Sequence, residues 1–82
     1  MISPVQAAAL LRTHISELLD IDPDTIEENR DLDSYGLDSA DAVVVAGALE
    51  GSLDCEIEPS LLLRNRTIAA VVADMATLGL VG

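Results

Sequence analysis

The run Tyr35-Gly36-Leu37-Asp38-Ser39-Ala40-Asp41 holds the residues with the clearest capacity for chemistry. Asp38 has the type and setting of a helix N-cap, and Asp41, three residues on, can reach back to it as a capping-box partner. Ser39 then falls on the first, exposed turn of a helix. An anion attached to its hydroxyl, such as a phosphodiester, is favoured by the free N–H groups and the dipole of the helix start. No side chain nearby in sequence can act as a base toward this serine. It reads as a serine that another enzyme modifies, not as one that attacks.

The remaining reactive side chains form no such constellation. His14, the single histidine, stands beside an apolar stripe on the first helix, far in sequence from Ser39. Cys55 is alone, so no internal disulfide is possible, and it has no cationic neighbour to lower its pKa; it reads as a small buried hydrophobe. One His and one Cys leave a zinc site to be filled by carboxylates, and none is spaced for that. Asp20, Asp22, Asp24 and Asp31 match four ligand positions of a calcium loop over residues 20–31. Against calcium, Pro23 lies between ligands, Thr25 replaces the turn glycine, and Asp31 is shorter than the usual Glu. Arg64 and Arg66 form the one positive cluster, placed to steer a partner or a phosphate or to offset nearby acids.

Fifteen acidic residues stand against four arginines and no lysine, for a formal charge of −11. This balance excludes nucleic-acid binding, which rests on neutralising phosphates, and argues against anionic membranes. Partners with basic patches are expected instead, their association weakening as salt rises. No basic stretch precedes an apolar run at the N-terminus, and the apolar stretch 68–81 is too short to span a bilayer. A cytoplasmic, monomeric domain occupying residues 1–82 is the expectation. Half of the residues are hydrophobic, but Tyr35 is the single aromatic. The core must therefore be Leu, Val, Ile and Ala, which let helices approach closely.

The elements that position Ser39 follow from caps and periodicity. Ser3-Pro4-Val5-Gln6 opens a first helix, with Val5, Ala8, Leu11, Ile15, Leu18 and Leu19 as its apolar stripe and a stop near Asp20. An acidic connection runs from Asp20 to Asp38, with one helical turn at Pro23 to Glu27 and Ile21, Ile26, Leu32 and Leu37 as anchors. Loops this long in small domains are usually functional. The second helix, Ser39 to about Ser52, buries Ala42, Val45, Ala46, Leu49 and Leu53. Its other face, Ala40, Val44, Gly47, Ala48 and Gly51, is a strip of small residues suited to a docking surface, or merely tolerated. Pro59 to Leu63 is a short third helix. Thr67 caps the last, Ile68 to about Leu78, with Ile68, Val71, Val72, Met75 and Leu78 inward and Gly79 ending it. The fold class is all-α: a four-helix bundle of three longer helices and one short one, with a long first loop.

In this order of features the chain resembles the acyl and peptidyl carrier proteins of fatty-acid, polyketide and nonribosomal-peptide synthesis. The similarity runs from Val5 to Leu78. It includes the long first loop, Gly36-Leu37-Asp38-Ser39, Leu49-Glu50, the Pro59-to-Leu63 segment and Thr67-Ile68-Ala69-Ala70. The resemblance implies that a phosphopantetheinyl transferase attaches 4′-phosphopantetheine to Ser39. The chain would then carry an acyl group, or alternatively an aminoacyl group, as a thioester, and catalyse nothing itself. Its implied partners are an acyl-loading ligase or acyltransferase and synthase or tailoring enzymes with basic docking patches. The implied contact face is Asp38, Ala40, Asp41, Val44 and Glu50, and no metal is called for.

Several positions depart from the common pattern. Ala40 stands where leucine usually follows the serine, Val44 where fatty-acid carriers carry an acid, and Arg64-Asn65-Arg66 where many polyketide carriers have an aromatic and a proline. Cys55-Glu56-Ile57 and the small-residue second helix bring the chain nearest to polyketide-type carriers. Starting at Met1 and ending soon after the last helix, it is expected to be free-standing. The core around Ala42, Ala46, Leu61, Leu62 and Ile68 is expected to loosen to shelter an acyl chain. A cofactor-free helical interaction module, needing neither Ser39 nor an arm, is the alternative from another class.

Overall fold

Helix α1, Pro4–Leu19, starts as its caps require: the Ser3 hydroxyl accepts the Gln6 N–H, and the Gln6 side chain accepts the Ser3 N–H in return. The computed structural model describes residues Met1–Gly82. After α1 come two short 3-10 turns, Pro23–Thr25 and Leu32–Tyr35, then α2, Ser39–Leu53, the single-turn α3, Ser60–Leu63, and α4, Ile68–Thr77. The expected bundle of three longer helices and one short one is the observed architecture. Helix α1 packs against both α2 and α4, and α3 bridges α2 and α4.

Leu11, Ile15, Leu49, Ile68, Val71 and Met75 are sealed from solvent at the centre. The inward faces of α2 and α4 follow the periodicity, with Ala42, Val45, Ala46 and Leu49 on one and Ile68, Val71, Val72 and Met75 on the other. Two expected core residues are not there. Val5 is 80 % exposed because the buried stripe of α1 runs through Ala7 and Ala8, a rotation that a run of three alanines leaves undetermined in sequence. Leu78 is 53 % exposed because α4 ends one residue before it. There Gly79 takes φ 77°, its N–H donates to Ala76 and the Leu80 N–H to Met75, the paired bonds of a Schellman cap. Cys55 is half-buried against the core, not fully enclosed.

The ends of α1 and α2 carry aspartate where glycine is usual. Asp20 and Asp54 both take positive φ, 56° and 53°. The termini meet in a feature with no sequence signal: Ile2 and Val81 form a parallel bridge that buries Val81.

Three of the four loop anchors, Ile26, Leu32 and Leu37, are buried, and Ile21 is partly so. Asp22 and Asp31 cap the two 3-10 turns by accepting the N–H groups of Asp24 and Asp33. The first turn is Pro23–Thr25, shorter than the expected Pro23 to Glu27, and the second, Leu32–Tyr35, has no periodic signal in the sequence. Tyr35 joins the two: its hydroxyl accepts the Glu27 N–H at 2.8 Å and its ring faces the Arg30 guanidinium. The loop also serves α4, whose Ala69 N–H donates to the Glu28 carbonyl at 2.9 Å.

Candidate functional site

The turn that carries Ser39 is fixed from both sides. Gly36 ends the second 3-10 turn at φ 90°, a conformation that favours glycine, and the buried Leu37 pins the chain to the core. Asp38 then takes extended backbone and caps α2. Its carboxylate accepts the Asp41 N–H at 2.9 Å, while the Asp41 carboxylate accepts the Asp38 N–H at 3.1 Å. The capping box read from the sequence is present in full. Ser39, at the first helical position, is exposed, and neither capping bond uses its hydroxyl. The N–H groups of Ser39 and Ala40 have no partner in the chain, as expected of the first positions of a helix.

No imidazole or carboxylate is hydrogen-bonded to the Ser39 hydroxyl, and the neighbouring Asp38 and Asp41 carboxylates are engaged in the capping box. His14 Nε2 lies 2.9 Å from Ser52 Oγ, at the far end of α2, roughly 20 Å of helix axis from Ser39 at 1.5 Å per residue. The aspartates of the 20–31 loop do not gather into a metal cage: Asp22 and Asp31 cap turns and Asp20 ends α1.

A groove of about 210 Å³ opens beside Ser39, walled by Leu32, Leu37, Ala42, Leu62, Asn65 and Arg66. The sequence offers Arg64 and Arg66 together as candidates for steering a phosphate and groups Leu62 with Ala42, but gives Asn65 no place. The packing of α3 against α2 and the Leu32–Arg66 backbone bond bring Leu62, Asn65 and Arg66 to this serine. Arg64 is spoken for: its guanidinium donates to Asp74 at 2.6 Å, and Asn65 donates to the same oxygen at 2.7 Å. These hydrogen bonds, Arg64's first, hold the Asp74 carboxyl below its ordinary pKa, and Asp74 in turn raises that of Arg64.

Along α2 the expected contact residues separate. Ala40 and Val44 share the exposed strip with Gly47 and Gly51, and Val43, 53 % exposed, widens it. Asp38 is exposed at the head of the helix. Asp41 is half-buried within the capping box. Glu50 turns toward the α2–α3 connection, where one carboxylate oxygen accepts the Ile57 N–H at 2.9 Å.

The sequence profile of the family described as "Phosphopantetheine attachment site" matches residues 9–75. The chain belongs to this phosphopantetheine-binding family. It is 34 % identical over 74 residues, 90 % of its length, to the nonribosomal peptide synthetase sidC of Arthroderma benhamiae, and spans about 1 % of that protein. A free-standing peptidyl carrier protein from an uncharacterized secondary metabolic pathway of Acinetobacter baumannii has the same fold. That structure superposes with a TM-score of 0.83 at 33 % identity, covering 93 % of this chain and 95 % of the other. The chain is thus a carrier domain, the cofactor of which is covalent 4′-phosphopantetheine. The turn fits such a group: an exposed hydroxyl beside two unpaired N–H groups is a setting for a phosphodiester.

No helix of the chain is long and apolar enough to cross a membrane.

Proposed function

We propose that Ser39 is the attachment site and that the chain carries an aminoacyl or peptidyl group as a thioester for a nonribosomal peptide pathway. The observation that carries this reading is the exposed Ser39 on a doubly capped helix start, inside a phosphopantetheine-attachment domain over residues 9–75. The cofactor supplies a terminal thiol at the end of a flexible arm. The protein's part is to hold the anchoring hydroxyl in the open, offer free N–H groups to the phosphate, and present a recognisable face to successive enzymes. Tethering raises the effective concentration of the carried group at each of them. Asp38, Ala40, Asp41 and Val44, with Val43 beside them, form the face a phosphopantetheinyl transferase and a loading ligase would contact.

Both relatives are named for peptide synthesis, which favours an aminoacyl or peptidyl cargo over the polyketide-type acyl cargo suggested by the small-residue second helix. The closed core supports the same choice. Ala42, Ala46, Leu61, Leu62 and Ile68 are all buried, at most 5 % exposed. The test is intact mass after incubation with a broad-specificity phosphopantetheinyl transferase and coenzyme A, with Ser39→Ala as control. The loaded chain is then offered to amino-acid-activating ligases and to malonyl transferases. Transfer by the ligases supports the peptidyl reading, and transfer by the acyltransferases alone replaces it with the acyl one.

A further inference from the structure

Of the four arginines, three are committed. Arg12 pairs with Glu28 at 3.1 Å and donates to the Ile26 carbonyl, Arg30 bonds Ser34 and faces the Tyr35 ring, and Arg64 holds Asp74. The Arg66 side chain is 83 % exposed, and its nearest acid, Asp31, is 3.8 Å away, beyond hydrogen-bond distance. Its backbone, by contrast, is fixed, since the Arg66 carbonyl accepts the Leu32 N–H at 2.7 Å. This loosely ion-paired residue is among those lining the same groove as Ser39.

We propose that Arg66 is the phosphate-holding residue of this carrier, closing over the phosphodiester on Ser39 and directing the arm along the Leu32–Leu62 groove. The inference rests on Ser39 being the attachment site. Its physical ground is a charge conflict. Asp38 and Asp33 line the groove too, and their carboxylates repel a phosphate that the helix start alone attracts weakly. Arg66 supplies the opposing charge, and its planar fork can engage two phosphate oxygens. Asp31 is the competing partner, so loading of Ser39 should draw Arg66 away from it.

The experiment is ³¹P NMR of the enzymatically loaded protein, wild type against Arg66→Gln and Arg66→Lys, at low and high salt, with intact mass taken first. The expected wild-type signal lies away from that of a free phosphopantetheine diester and moves toward it as salt rises. Arg66→Gln should sit at the free position at every salt, with Arg66→Lys between. A loaded wild-type signal already at the free position, or one unmoved by Arg66→Gln, overturns the role of Arg66 alone. Failure of the wild type to load, or loading that survives Ser39→Ala, overturns the attachment site and this inference with it.

Discussion

The Leu32 N–H donates to the Arg66 carbonyl at 2.7 Å, joining the first loop to the segment that leads into α4. Both residues wall the groove beside Ser39, so this bond sets one edge of the site. Leu32 is 3 % exposed and anchors the loop by its side chain as well. Truncating it leaves a cavity and loosens the bond together. Leu32→Ala should destabilise the protein by about 2–4 kcal/mol in urea unfolding. Hydrogen exchange should quicken at the Leu32 and Ala69 amides before the centre of α1 is affected, because both amides depend on the loop staying docked. Equal quickening everywhere would mean that the loop is no separate unit.

Ser39 and Asp38 are neighbours with opposite expected phenotypes. Ser39→Ala removes a hydroxyl that the capping box does not use, and alanine suits a helix, so thermal stability should change by less than about 0.5 kcal/mol. Mass gain from coenzyme A should vanish. Asp38→Ala removes the cap and should cost about 1 kcal/mol, with slower but not absent modification. Unfolding curves and a modification time course on both variants separate the two roles.

Caps and long periodic stripes were legible in the sequence because they are local: Ser3, Asp38 and Thr67 each cap the helix their setting predicted. Packing was legible only where side chains differ in size. The alanines of α1 carry too little contrast to fix a rotation, so the pattern points Val5 inward where the fold buries Ala7. Aspartate in the left-handed region at Asp20 and Asp54 has no unique signature, because aspartate serves equally at caps and turns. The groove was least legible. Ser39 was found from its own turn, but Leu62, Asn65 and Arg66 reach it only through tertiary packing.

Asp54 ends α2 under two penalties. Its φ of 53° is a conformation that asparagine and glycine adopt more readily than most residues, and its carboxylate lies at the negative end of the helix dipole. Asp54→Asn keeps a short polar side chain and removes the charge. It should stabilise the protein by roughly 0.3–1 kcal/mol at low ionic strength, by urea unfolding. The gain should shrink in high salt, where the charge is screened. A gain independent of salt would assign the benefit to backbone conformation instead.

Asp74 gives the protein an acid-sensitive contact. Hydrogen bonds from Arg64, and then Asn65, hold its carboxyl below the ordinary range, so the folded state binds a proton less readily than the unfolded chain. A depressed carboxylate contributes stability that is complete above the unfolded pKa, near 4, and is lost as pH falls through the lower folded value. The stability difference between wild type and Asp74→Asn should therefore be constant from neutral pH down to about 5 and narrow below about 4. Because the Arg64 side chain is 49 % exposed, the difference should also shrink with salt. Asn65 also donates to the Leu61 carbonyl at 2.7 Å, so the contact ties the end of α3 to α4 and with it the wall of the groove. The ³¹P signal of the loaded protein should accordingly respond to Asp74→Asn at neutral pH, and that response should fade over the same acid range. A wild-type and variant pair with parallel stability profiles down to pH 3 would show that Asp74 has an ordinary pKa and that this tie is not set by its charge.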